Sequence, residues 1–167
     1  MSELRTRRYA LVRKREDLAC ENIYDSVIDH QQEAADIAED IKTLCEHYNV
    51  LEIYLPLSSI CDRSLSALLP SLKPCQLRKL DLSRNDITCD GAEQLAESLT
   101  AFFSLCVLDL SLNRISDRGA KVLAEMIPLC ASLRELDLAR NDLKEDGKSA
   151  IVTAAHSRKP STLLLSM

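Results

Sequence analysis

Three stretches of the chain repeat one another at a spacing of 28 residues: LRKLDLSRNDI from Leu77, LCVLDLSLNRI from Leu105 and LRELDLARNDL from Leu133. A recurrence of this length constrains architecture more than any local propensity, because each unit can bury its apolar face only against the next. The frame L-x-x-L-x-L-x-x-N-x-I/L is filled by Leu77, Leu80, Leu82, Asn85 and Ile87. It is filled again by Leu105, Leu108, Leu110, Asn113 and Ile115, then by Leu133, Leu136, Leu138, Asn141 and Leu143. The chain's three glycines, Gly91, Gly119 and Gly147, keep the same spacing and reproduce the period independently.

A weaker copy lies 27 residues before Leu77, at Val50, Ile53, Leu55, Ser58 and Ile60. Moved 27 residues past Leu133, the frame meets Pro160, Leu163 and Leu165. Residues 50–167 are therefore expected to hold four repeats and a lone terminal strand. In each unit the L-x-L segment alternates, as a strand with one buried face does. The segment after glycine is helical in period: Ala92, Leu95, Ala96 and Leu99 recur as Ala120, Leu123, Ala124 and Ile127. Parallel strands inside and helices outside would then share one core. Cys75, Phe102 and Cys130 precede successive strands at matching positions and predict a second apolar spine.

On these motifs the chain resembles leucine-rich-repeat proteins of the ribonuclease-inhibitor-like subclass, over roughly Val50 to Met167. The resemblance implies an α/β solenoid: a short curved parallel sheet with helices on the convex side. It also implies that Asn85, Asn113 and Asn141 bond to backbone groups of the bend and form a ladder. Ser58 departs from the pattern, so the ladder should begin at Asn85.

Residues 1–49 lie outside the frame and contain neither glycine nor proline. Arg5, Arg7, Arg8, Arg13, Lys14 and Arg15 make their first stretch basic; from Asp17 to Glu46 the chain is acidic, with Lys42 the only Lys or Arg. Apolar residues at Ile23, Val27, Ala34, Ile37, Ile41 and Leu44 approximate a helical stripe. One or two helices are expected, the later one capping the first repeat. The basic stretch is read as an arm, a docking helix or an RNA-contacting tail.

The formal net charge of −5 argues against nucleic-acid binding by the chain as a whole, leaving residues 1–16 as the one basic exception. No apolar run reaches the length of a membrane span. Seven cysteines without a C-x-x-C pair point to free thiols in a reducing, cytoplasmic setting, with a cilium, flagellum or mitochondrion as alternatives. His30, His47 and His156 have no metal-ligand spacing, and no phosphate-binding, metalloprotease or nucleophile-elbow motif occurs. No enzyme activity, metal or cofactor is expected.

What varies between the copies is the place to look for recognition. On a strand, residues flanking the buried leucines face the opposite, concave side. Asp81, Asp109 and Asp137 share one slot in three neighbouring strands, headed by Tyr54 and ended by Leu164. Such a column either binds a cation or basic partner, or meets neighbouring polar groups. A second column is expected to run Glu52, Lys79, Val107, Glu135, Thr162, and a third Leu57, Arg84, Leu112, Arg140, Met167. Arg84 and Arg140 around Leu112 make either a hot spot for a partner or ion pairs with acids of the next column. The uncharged C-terminal stretch STLLLSM predicts an open edge strand, which a partner, a second copy or the N-terminal segment would cover. The expected role is a non-enzymatic interaction module or scaffold subunit of a larger assembly. An axonemal or organellar subunit anchored by the basic arm, and a small-GTPase regulator acting through Arg114 or Arg118, are the alternatives.

Overall fold

The computed structural model describes residues 10–14, 21–23, 37–43, 50–73, 75–158 and 163–167. Its seven strands are β1 (Ala10–Lys14), β2 (Glu21–Ile23), β3 (Val50–Tyr54), β4 (Lys79–Asp81), β5 (Val107–Asp109), β6 (Glu135–Asp137) and β7 (Leu164–Ser166). They form one sheet in the order β2-β1-β3-β4-β5-β6-β7, and β3 to β7 run parallel. Helix α1 (residues 37–43) precedes β3. Between the parallel strands run α2 (Asp62–Leu72), α3 (Cys89–Leu99), α4 (Asp117–Met126) and α5 (Glu145–Ser157). A 3₁₀ turn over Ile127–Leu129 follows α4. This is the expected α/β solenoid.

The repeat frame explains the layering. Ile53, Leu80, Leu108 and Leu136 pair in register across β3 to β6 and are all buried. They meet Leu65, Leu68, Leu95, Ala96, Leu123 and Ile151 from the helices in one continuous core. Phe102 and Cys130 are buried in that core and Cys75 packs against it, which is the second spine. Cys61, Cys89, Cys106 and Cys130 are free thiols. Cys75 departs from the all-thiol expectation: it is disulfide-bonded.

The asparagine ladder stands as the resemblance implies. Asn113 is the middle rung: its amide donates to Leu82 O (2.9 Å) in the previous repeat and to Leu110 O (3.0 Å) in its own, while its oxygen accepts from Ile87 N (3.1 Å). Asn85 accepts from the N–H groups of Ser58 and Ile60, both at 3.0 Å, and donates to Leu55 O and Leu82 O. Asn141 accepts from Ile115 N and donates to Leu110 O and Leu138 O. Each amide satisfies backbone groups of two successive bends that a strand or helix would otherwise have paired. Ser58 has no such reach, so the ladder begins at Asn85.

Ile37 and Ile41 of α1 enter the core, as a cap should. The purely helical reading of the N-terminal region needs correcting upstream of it. Ala10–Lys14, the end of the supposed basic arm, is a strand, and so is Glu21–Ile23. Strand β1 pairs antiparallel with β3, and β2 pairs antiparallel with β1. The free backbone groups of β3 require a partner strand, a long-range demand that a helical stripe in the local sequence does not register.

The last strand also departs from expectation. Leu165, not Leu163, pairs with Leu136, and Leu164 and Ser166 pair with Glu135 and Asp137. Relative to the repeat frame β7 is slipped by two residues. A slip of two keeps every side chain on its original face, so the alternating pattern is equally satisfied by either register.

Candidate functional site

The concave face is built by the residues that flank the buried leucines. Lys79, Val107 and Glu135 lie side by side in register, as do Asp81, Asp109 and Asp137. Leu164 and Ser166 continue the two rows; the expected neighbour of Glu135, Thr162, lies outside the described residues. Lys79, Val107, Asp109, Glu135, Asp137 and Leu164 help line a depression of about 230 Å³ on this face. The two-residue slip sets Leu164 beside Glu135, whereas the sequence reading has it end the aspartate column, and brings Ser166 beside Asp137 in its stead.

At the N-terminal end the row is knitted together. The ammonium of Lys79 sits 4.8 Å from the centroid of the Tyr54 ring, a cation–π distance. The Tyr54 hydroxyl donates to Glu52 Oε2 at 2.8 Å. Glu52, Tyr54 and Lys79 thus form one ordered polar cluster, which the separate columns in sequence did not reveal.

The aspartates are occupied locally. Asp81 Oδ1 accepts from Ser83 N (3.0 Å) and from the Ser83 hydroxyl (2.7 Å). Asp109 Oδ1 accepts from Ser111 N (2.9 Å), and Asp137 Oδ1 accepts from Ala139 N (2.8 Å). Each carboxylate closes the turn leaving its own strand, the Asx-type bond that makes Asp a turn residue. The column therefore meets neighbouring polar groups, the second of the two readings. Among the described residues no cluster of three or more His, Cys, Asp or Glu side chains could hold a metal ion. Of the histidines, His156 is exposed on α5 and the other two lie outside the described residues.

The third column lies just beyond the strand ends, at the bend. Leu57, Arg84, Leu112 and Arg140 all have φ between 55° and 57°, the left-handed region, although none is glycine. Holding the same bend in four successive repeats projects these side chains as a ridge beside the concave face. They line a shallow cup of about 360 Å³ with Asn85, Asp86, Asn113 and Arg114. Leu57 is 58 % exposed, and both Arg84 and Arg140 are exposed. Of the two readings of these arginines, ion pairs with neighbouring acids are absent among the described residues. Met167, expected to end the column, follows the slipped strand and falls out of line with Arg140.

Two arginines and one lysine of the middle repeats are ion-paired. Arg114 meets Asp86 at 2.9 Å, and Arg118 bridges Asp90 and Glu93. Lys121 reaches Asp146 at 3.6 Å. All four contacts run from one repeat to its neighbour, so these charges serve the stacking.

A leucine-rich-repeat model matches residues 73–96, 103–124 and 129–152. No curated protein matches the chain in sequence. Among solved structures, leiomodin-1 actin-binding site 2 superposes with a TM-score of 0.68 at 17% identity, over 78% of this chain and 76% of that one. The C-terminal domain of tropomodulin from Caenorhabditis elegans superposes with a TM-score of 0.63 at 16% identity, over 78% and 81%. At such identities the likeness concerns the fold alone.

Proposed function

We propose that the chain is a leucine-rich-repeat protein acting as a non-enzymatic protein-interaction module, which reads its partner with the concave face and the adjoining bend ridge. The observation that carries this reading is the division of labour within each repeat. Leucine and asparagine recur because they build the core and the ladder. Glu52, Lys79, Val107 and Glu135 differ from strand to strand while lying in register on the opposite side of the sheet, with Tyr54 beside them at the head of the aspartate row. Asp81, Asp109 and Asp137 enter the site as the polar floor between that row and Leu57, Arg84, Leu112 and Arg140. We further assign the chain to the subclass with repeats of about 28 residues, because every complete repeat carries a true α-helix on the side away from this face.

A scaffold subunit of a larger assembly is the role we favour, since a short solenoid offers two ends and one face rather than an enclosed pocket. The open edge of β7 is a second contact route, by strand addition of a partner or a second copy. Anchoring through a basic arm, the premise of an axonemal or organellar role, has less support where Ala10–Lys14 is already held in the sheet. The GTPase-regulator reading has less support too, because Arg114 and Arg118 are engaged with acids of the preceding repeat. Actin is a second partner to assay, on the strength of the leiomodin-1 actin-binding site as a structural relative.

Affinity purification with mass spectrometry tests the proposal, comparing the native chain with a variant carrying Lys79→Glu, Val107→Asp and Glu135→Lys. Equal thermal melts establish that the variant folds. Loss of one defined set of partners supports the face as the site, and capture of an identical set by both proteins overturns it. Co-sedimentation with filamentous actin decides the second reading.

A further inference from the structure

We infer that the bend ridge at Arg84, Leu112 and Arg140 is a docking site for an extended, acidic segment of a protein partner, with the pattern acidic–x–aliphatic–x–acidic. This rests on the protein-interaction reading above and specifies its chemistry. Three observations point to it. First, the two guanidinium groups have no ion pair among the described residues, while Arg114, which lines the same cup, is paired with Asp86. An arginine kept from its own chain's acids retains its planar fork for a foreign carboxylate.

Second, the side chain between them is Leu112, half-buried, with exposed Leu57 at the end of the row. The ridge thus alternates cation, apolar, cation. Third, the geometry is imposed by the backbone. All four residues sit in left-handed bends where glycine is the unstrained choice. Four repeats in succession place a leucine or an arginine there instead.

Spacing then selects the ligand. Adjacent strands lie about 4.8 Å apart, so Arg84 and Arg140 are roughly 10 Å apart at the backbone. Alternate side chains of an extended peptide repeat every ~6.7 Å on one face, putting two acids about 13 Å apart around a central aliphatic residue. Two arginine side chains splaying outward span that difference. The peptide would cross the strands, with its aliphatic residue on Leu112 and a carboxylate in each guanidinium fork. A polyanion such as nucleic acid fits less well: it needs a continuous basic track, and the acidic side chain of Asp86 lines the same cup.

Fluorescence anisotropy on the full chain tests this with three labelled heptapeptides, GDALADG, GKALAKG and GDASADG. The first should bind at least tenfold more tightly than the second, and the serine version should be weaker than the leucine one. The double variant R84E/R140E should reverse the preference in favour of GKALAKG. The double variant R84G/R140G, whose glycines fit the left-handed bends, should fold like the native chain and lose the preference for acid. No measurable binding of GDALADG, equal binding of the acidic and basic peptides, or a preference that survives R84E/R140E would each overturn the inference. So would tighter binding of a twenty-nucleotide oligothymidine than of GDALADG. Partners that R84E/R140E retains but the Lys79/Val107/Glu135 variant loses would sink this inference alone, leaving the concave-face reading in place.

Discussion

The carboxylate of Asp117, in the first turn of α4, accepts hydrogen bonds from Lys144 N (2.8 Å) and Gly147 N (3.1 Å) at the start of the next helix. A Cβ built on Gly147 would lie 2.5 Å from that same carboxylate oxygen and 3.0 Å from Asp117 Cα. Asp62, at the start of α2, does the same for α3: it binds the N–H and hydroxyl of Thr88 and fills the space beside Gly91. In the intervening repeat Cys89 takes the slot and meets Ser116, at 3.0 Å between sulfur and hydroxyl. The glycine period therefore has a spatial cause: none of the three has a positive φ. Gly91 and Gly147 leave room for the capping carboxylate of the preceding repeat, at a helix N-terminus where negative charge is favoured, and Gly119 leaves room for Cys89 Cα and the Ala92 methyl.

Gly147→Ala should accordingly destabilise the fold by about 1–3 kcal/mol, the usual cost of forcing a methyl into a filled site. Asp117→Ala should cost about 1.5–3 kcal/mol through two lost charge-assisted bonds. The double variant should be less destabilised than the sum of the two, because removing the carboxylate makes some of the room the new methyl needs. Urea titrations of the four proteins check the coupling, and strict additivity would refute it.

Arg140 occupies a left-handed bend with φ 57°. Arg140→Gly should therefore be more stable than Arg140→Ala by about 1 kcal/mol, because alanine keeps the steric penalty of that region and glycine removes it. The opposite order should hold at Lys121, inside α4, where glycine costs about 1 kcal/mol relative to alanine. Denaturation midpoints of the four variants give the comparison directly. The same order at both positions would contradict the left-handed assignment.

The free thiols should separate by pH. Hydrogen bonds from the Ser64 hydroxyl and backbone at the start of α2 lower the pKa of Cys61, more than its burial raises it. Burial raises that of Cys130, and the nearby Arg158 charge only partly opposes it. The thiolate is the reacting species, so Cys61 should reach half-maximal alkylation by iodoacetamide at a pH below the ordinary thiol value, and Cys130 above it. Mass-spectrometric rates at each site across pH 6 to about 10.5 measure both midpoints, independently of how accessible each sulfur is.

What could be read in the sequence follows the range of the forces involved. Leu80, Leu108 and Leu136 announce the core because a repeated unit has one way to bury them. Asn85, Asn113 and Asn141 announce the ladder because a buried amide in a bend must be satisfied. Strand β1 was illegible because its pairing with β3 spans some forty residues and is set by an edge, not by a local period. The register of β7 was illegible for a different reason: a shift of two leaves the alternation intact. On the candidate site, the columns of Lys79, Val107 and Glu135 and of the three aspartates were legible from the period alone. The inward turn of Asp81 onto Ser83 and the unpaired state of Arg84 and Arg140 depend on the bend geometry, which the period does not encode.

The slipped register of β7 makes a prediction at single-amide resolution. Leu164 N donates to Arg134 O at 2.8 Å, and Ser166 O accepts from Leu138 N at 2.7 Å. Leu165 lies between these two, and on a strand successive backbone groups point to opposite edges. Its N–H therefore points away from β6, to the open side of the sheet. Hydrogen exchange followed by nuclear magnetic resonance should find Leu164 protected and Leu165 exchanging close to the rate of an unstructured amide. The unslipped register, with Leu163 beside Leu136, also leaves Leu164 and Leu165 on opposite edges if the inward-bonding set moves by two. The discriminating amide is thus Leu138, whose partner is Ser166 in the observed register. Deleting Ser166 and Met167 should speed exchange at Leu138 by at least tenfold while leaving Leu110, bonded to Asp137 O, unchanged. If Leu138 keeps its protection in the truncated chain, its partner is not Ser166 and the register described for β7 is wrong.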